Sequence, residues 1–275
     1  MPCDDFEVSH DSTGTAPADR TLALLWADAE GAPDAAATTA PAPRRRGPQP
    51  RQSVPAIVDA AITLADADGL ADLTMRRLAV SVGVAPMTLY TYIPGKAELL
   101  DLMLDTVYRR MERPPWSAGA GWRERLALVA AANRTLLAAH PWAIGLGTTR
   151  PPLGPGVMAK YEHELAALDD AGLDDVARDA ALTFLLGFVT AAARAAVDAA
   201  AAVAGSGVDD ATWWAANGPL LARVLDAERY PLAVRVGAAA GAAQGSAADP
   251  AAGYAFGLER VLDGLQALIE RSPAG

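Results

Sequence analysis

Residues 73–100 read LTMRRLAVSVGVAPMTLYTYIPGKAELL, and this stretch decides the fold. Thr74 suits a helix cap, because its hydroxyl accepts one of the N–H groups that a first helical turn leaves unpaired. Met75, Leu78, Ala79 and Val82 follow at the i, i+3, i+4, i+7 spacing of a single apolar stripe. Gly83 breaks the helix where a left-handed residue costs little. Ala85 and Pro86 open a second helix, since proline has no N–H to lose in a first turn. Leu89 and Ile93 give its inner face, Pro94-Gly95 ends it, and Lys96 begins a third. Two short helices joined through a glycine turn form a helix-turn-helix pattern, whose second helix enters a DNA major groove.

The stretch resembles the DNA-binding domain of the TetR family of bacterial transcriptional regulators. The residues that carry the resemblance are Leu73 to Ala79, Gly83-Val84, Thr88-Leu89-Tyr90, and Lys96 with Leu99-Leu100. It extends back to Ile57-Val58-Asp59-Ala60-Ala61 and Asp68-Gly69, about sixty residues in all. One departure is Ala85, where the family often places Ser or Thr as a cap. Looser matches to the regulatory domain of one branch are His140-Pro141-Trp142, Gly154-Pro155, Ala171-Gly172-Leu173, Phe256-Gly257-Leu258 and Leu262-Asp263-Gly264. The resemblance implies a ligand-responsive regulator, a repressor in the first instance. In such proteins the helix after the motif swings the DNA-binding domains apart when ligand binds, and two late helices form a four-helix bundle across a two-fold axis.

Composition agrees with an all-α fold. The apolar fraction is 52% but aromatics are only 6%, so Ala, Leu and Val must fill the core. No run of alternating β-branched residues suggests a strand. The net charge of −10 argues against DNA until it is divided along the chain. Residues 1–43 hold eight acids and one arginine, and residues 44–52 hold four arginines and no acid. A basic island therefore stands just ahead of the motif. Cys3 is the only cysteine, so no internal disulfide is expected, which fits a reducing cytoplasm. The N-terminus is acidic and has no apolar segment of the signal-peptide kind. The longest uncharged helical stretch, Ala180 to Ala193, is 14 residues, short of the roughly 20 that a bilayer requires.

The expected organisation has three parts: a disordered tail over 1–52 with a basic arm at 44–51, a three-helix DNA-binding domain over 53–98, and a larger helical regulatory and dimerisation domain over 99–272. In the tail, Thr21 to Trp26 suits one helical turn or two. The first helix of the DNA-binding domain runs from about Val54 to Ala67, and Gly69 stops it. Val157, Tyr161, Leu165 and Leu168 are expected to face inward on a later helix. A long helix from about Asp174 to Ala204 is apolar nearly all round, so burial on several sides is expected. Breaks are expected at Asn217-Gly218-Pro219 and at Tyr230-Pro231, with a flexible loop over 237–248. The last helix, capped by Asp249, has a seam of Tyr254, Leu258, Val261, Leu265 and Leu268 at heptad spacing.

The candidate DNA contacts are Arg44, Arg45, Arg46 and Arg51 of the arm, with Thr74, Arg76, Arg77, Pro86, Met87, Thr88, Tyr90, Thr91, Tyr92 and Lys96 of the motif. An arginine fork can hold guanine O6 and N7, Met87 can touch a thymine methyl, and Thr88, Tyr92 and Lys96 suit phosphates. An effector pocket is expected from Trp142, Met158, Tyr161, Phe184 and Phe188, with His140 and Arg150 as polar contacts. The dimer interface is expected at Leu182, Leu186 and Val189 together with the last-helix seam. No catalytic residues, metal or cofactor are expected. Glu162-His163-Glu164 has the right residue types for a metal, but adjacent helix positions diverge by about 100°, so a solvated face is expected there. The partners expected are operator DNA, a small-molecule effector and a second copy, with no membrane. The rival reading is an all-α ligand-binding or enzymatic protein whose helix-turn-helix is structural, and acidity is what favours it.

Overall fold

The structure, a computed structural model of the chain, describes residues 18–27, 53–113, 115–146, 150–247 and 249–271. Among them every regular element is helical: α1 (Ala18–Leu25), α2 (Val54–Asp72), α3 (Met75–Ser81), α4 (Pro86–Tyr92), α5 (Lys96–Arg110), α6 (Trp122–Ala139), α7 (Pro155–Ala166), α8 (Asp175–Ser206), α9 (Asp210–Val224), α10 (Pro231–Gln244) and α11 (Pro250–Arg271), with a 3-10 turn over Pro141–Gly145. The chain divides into two compact units. One joins Met1–Pro115 to Ala139–His163, and the other joins Trp116–Ala138 to Glu164–Gly275.

In the first unit, Ser53 caps α2 by accepting the Ala56 N–H at 3.3 Å. Ile57, Val58, Ala61, Ile62 and Ala65 are buried along one side of α2. Gly69, at φ 79°, breaks the helical path where a side chain would be strained. Thr74 caps α3, and Leu78 and Ala79 are its buried residues. α5 packs on α2 through a face that includes Leu99, Leu102, Met103 and Val107. That face also buries Glu98 and Asp105. Burial, with Glu98 nearby, pushes the Asp101 carboxyl up to about 6. α1, about two turns of helix, packs against α5, with Leu25 only 6% exposed.

The second unit holds α11 against α8. Asp174 caps α8 by accepting the Ala177 N–H at 2.8 Å, and Gly207 closes it at φ 69°. Arg123 of α6 bridges Glu259 and Asp263 of α11 at 2.7 and 2.8 Å. Three expectations need correction here. The buried residues of α8 are Ala181, Leu182, Leu185, Val189 and Ala193, and none beyond Ala193 is buried. Alanine makes helix without demanding burial, so an apolar all-round pattern did not imply several covering neighbours. α9 runs through Asn217-Gly218-Pro219 unbroken, because one missing N–H and a φ near −65° can be carried by a helix whose other bonds are intact. α10 extends to Gln244 across the expected loop, since its alanines outweigh two glycines. The break at Tyr230-Pro231 is present, and Asp249 caps α11 by accepting the N–H groups of Ala251 and Ala252 at 3.0 and 2.9 Å.

Candidate nucleic-acid interface

α3 and α4 are only seven residues each, too short to hold helical form alone in water. They are held by packing: Leu78, Ala79, Leu89 and Ile93 are wholly buried. Fully burying a leucine such as Leu89 contributes about 1.5–3 kcal/mol. The turn between the helices is closed by Gly83 at φ 71° and by the Val84 N–H on the Ala79 carbonyl at 3.0 Å. Ala85 gives α4 no side-chain cap, so Pro86 alone marks its start. With the inner face fixed, the other side chains must point outward.

The outward set is as follows. Arg76, Pro86, Met87, Thr88, Tyr90 and Thr91 are exposed, Met87 to 77%. An exposed methionine of this kind is apolar surface presented outward by a rigid anchor. Tyr92 is half-buried. Thr74 spends its hydroxyl on the Arg77 N–H at 3.1 Å. Arg77 pairs with Asp68 at 2.5 Å, and both side chains are well exposed. A surface pair of this kind is worth only about 0–1 kcal/mol. Lys96 donates to the Leu70 carbonyl at 3.2 Å, tying the start of α5 to the end of α2. Thr91 donates to the Thr88 carbonyl at 2.6 Å within α4. Arg44, Arg45, Arg46 and Arg51 lie outside the described residues.

The candidate effector residues divide between the units: His140, Trp142, Arg150, Met158 and Tyr161 fall in the first, Phe184 and Phe188 in the second. Trp142 and His140 are taken up by α2. The Trp142 indole N–H donates to Asp66 at 2.6 Å, and His140 Nδ1 lies 2.8 Å from the same oxygen. Arg150 and Met158 are exposed. Tyr161, expected inward, is 41% exposed. The buried residues of α7 are instead Gly156, Lys160 and Glu164. Of the other residues expected inward, Leu168 is wholly buried just past the helix and Val157 and Leu165 are half-buried; Gly156 meets α5 so closely that an added Cβ would overlap the Asp105 carbonyl and the Arg109 backbone. Glu164, expected on a solvated face, is 2% exposed and accepts from the Asn133 amide at 2.6 Å. Phe188 stacks on Tyr254 with ring centroids 5.8 Å apart, while Phe184 is 59% exposed. Among the candidate dimer residues, Leu182, Val189, Val261 and Leu265 are buried within the chain, and Leu186, Tyr254, Leu258 and Leu268 are half-buried. A cavity of about 320 Å³ between α9 and α10, lined by Trp214, Gly218, Pro219, Gly237 and Gly241 among others, contains none of the expected effector residues.

Asn133, read with the apolar side of α6, is buried as that side requires, while Asp66 and Asp105 carried no signal of their own and Glu164 was placed on the wrong face. Asp105 is buried on α5 and accepts the Val157 N–H at 3.0 Å, at the start of α7. Burial raises its carboxyl, against the lowering pull of the Val157 and Gly156 N–H groups and of Arg109. Gly154 and Gly156 were the signal available, since glycines flanking a helix start mark a close backbone approach.

Two family profiles match the chain. Residues 57–103 match the bacterial regulatory proteins of the tetR family, and residues 114–269 match the tetracyclin repressor-like C-terminal domain. The chain belongs to the TetR family of transcriptional regulators. It is therefore a DNA-binding regulator and not an enzyme. This TetR-family chain is 37% identical over 261 residues to the HTH-type transcriptional repressor DrrR1 of Streptomyces coeruleorubidus, covering 95% of this chain and 90% of that one. It is 39% identical over 139 residues to an HTH-type transcriptional regulator of Saccharopolyspora erythraea, which spans 49% of this chain and 58% of the other. Among solved structures, apo ActR from Streptomyces coelicolor superposes with a TM-score of 0.64 at 28% identity, over 82% of this chain and 100% of ActR. ActR in complex with actinorhodin gives 0.64 at 29% identity, over 78% and 96%. α8 is long and apolar enough, by length and composition alone, to cross a membrane, but it lies inside the span matched by the regulatory-domain profile.

Proposed function

We propose that this TetR-family regulator is a cytoplasmic repressor that binds a palindromic operator as a homodimer and leaves it when a small molecule occupies its helical body. The observation that carries the DNA half is the outward set of α3 and α4. Arg76, Met87, Thr88 and Thr91 stand exposed on helices whose inner residues are wholly buried. Arg76 has no side-chain partner among the described residues and supplies the base contact; Met87 reads a thymine methyl. Thr74, Arg77, Pro86, Thr88, Tyr90, Thr91, Tyr92 and Lys96 position the backbone, and the arm of Arg44, Arg45, Arg46 and Arg51 adds charge.

The dimer reading is supported by the half-buried Leu186, Tyr254, Leu258 and Leu268 and by the exposed Phe184 and Phe256 on α8 and α11. One short recognition helix reads too few base pairs alone, so two are needed. The repressor reading is supported by the likeness to the repressor DrrR1, and the effector reading by the solution of ActR with actinorhodin and with (S)-DNPA. The effector candidates carried forward are Met158 and Tyr161, with Arg150 as a polar contact, in the first unit, and Phe184 and Phe188 in the second. His140 and Trp142 act less directly, through Asp66. The division of labour follows: residues 53–98 read DNA and residues 99–272 sense and dimerise. The test is binding of the purified protein to DNA from upstream of its own gene across a salt series, followed by a screen for molecules that release it. Tight binding to one palindrome, weakening steeply with salt, supports the reading. Binding no tighter than to unrelated DNA contradicts it.

A further inference from the structure

α1 is eight residues long, well below the length at which a helix persists unaided in water. It is formed because it is docked. It packs against α5, and Leu25 is buried there. Trp26, just past its end, donates its indole N–H to the carbonyl of Leu153 at 2.8 Å, 127 residues away in sequence. The acceptor is one residue from Gly154. A Cβ built on Gly154 would overlap the Asp105 carboxylate, and one on Gly156 would overlap the α5 backbone. Asp105 also accepts the Val157 N–H at 3.0 Å. The tryptophan therefore grips the chain at the point where it lies hardest against α5. α5 in turn leads straight out of the α3–α4 pair.

We propose that α1 is a built-in clamp: through Leu25 and Trp26 it holds residues 153–157 against α5 and so fixes the helix that carries the DNA-reading pair. A clamp of this kind needs no ligand of its own. Leu25 supplies apolar burial, which is non-directional, and Trp26 supplies one directed bond, which sets the register of the 153–157 segment. Trp26 and Leu25 are positioning residues, since neither belongs to the outward set of α3 and α4. The inference rests on the DNA-binding reading for only one of its two readouts.

The test compares Leu25→Asp and Trp26→Phe with the wild-type full chain. The first places a charge in a buried site; the second keeps a ring and removes the donor. Amide hydrogen exchange is followed at Val157 and Met158, at α5, and at α8 and α11 as the control for global folding. The expected result is exchange at Val157 and Met158 faster by about tenfold in Leu25→Asp and by about threefold in Trp26→Phe, with α8 and α11 unchanged. Operator affinity should fall in the same order, by about tenfold and about threefold, where one tenfold step is 1.4 kcal/mol. A synthetic peptide of residues 18–27 added to Leu25→Asp should restore both. Loss of protection in α1 with residues 153–158 unchanged would overturn the clamp. So would faster exchange at Val157 with wild-type operator affinity. If the wild type binds no operator while exchange responds as expected, the DNA-binding reading fails and the clamp on α5 stands.

Discussion

The α3–α4 pair and the α9–α10 hairpin are both two-helix units, and they are built in opposite ways. α3 and α4 are seven residues each, bury Leu78, Ala79 and Leu89, and turn polar and charged groups outward. α9 and α10 are 15 and 14 residues long and bury nothing. Their outward side chains include Trp213, Leu220, Leu221, Val224, Leu232 and Val236. The short pair is held by its core contacts and is free to vary its outer face, which is what a reading surface requires. The long pair is held by alanine propensity and by its own Trp214, which sits over Gly218 and Gly241. Helix length here says nothing about how firmly a helix is fixed.

The sharpest way to break this contrast is to hollow out the short pair. Leu89→Ala should cost about 2–5 kcal/mol of stability, because a wholly buried leucine leaves a cavity. Denaturant unfolding checks it, and a cost below about 1 kcal/mol would mean α4 is not anchored as described. Arg76→Ala comes next. It should leave stability unchanged and cost about 1–3 kcal/mol of operator discrimination, read as the ratio of specific to non-specific binding. The support beneath the pair gives a smaller effect. Asp101 on α5 titrates at about 6, above its ordinary 3.8, so the folded state binds the proton more tightly than the unfolded state. The stability this brings is fully present below about pH 4 and is lost as the pH rises through about 6. Asp101→Asn should flatten that slope and stabilise the protein at pH 8 by about 1 kcal/mol, allowing for solvent screening at a half-buried site. Smallest is the long pair: Leu220→Ala and Leu232→Ala, both exposed, should each change unfolding by less than about 0.5 kcal/mol. A much larger, concentration-dependent cost would show that a second copy covers the hairpin.

The same contrast explains what the sequence revealed. The α3–α4 pair was legible residue by residue because Thr74, Gly83 and Pro86 punctuate it and one apolar stripe runs down each helix. α11 was legible for the same reason, from Asp249, Pro250 and its seam. α9 and α10 were misjudged because Gly218, Pro219, Gly237 and Gly241 look like breaks, while alanine propensity is spread too evenly to stand out. The inward face of α7 was misjudged in part, because it carries Lys160 and Glu164, which hydrophobic periodicity passes over. The bonds from Asp66 to His140 and Trp142, and from Trp26 to Leu153, join residues too far apart in sequence for any local pattern to announce them. The outer faces of α3 and α4 were legible as a candidate surface, but which of their side chains are already engaged within the chain, as Arg77 is with Asp68, required coordinates.

The most direct test of the central claim is the affinity of wild type and Arg76→Ala for the same operator and for unrelated DNA, across one salt series. Wild type is expected to prefer the operator strongly, Arg76→Ala to lose most of that preference by weakening operator binding about tenfold or more, and binding to unrelated DNA to fall far less. Equal losses on both DNAs would make Arg76 a phosphate contact only. No change on either would contradict the assignment of α3 and α4 as the reading surface.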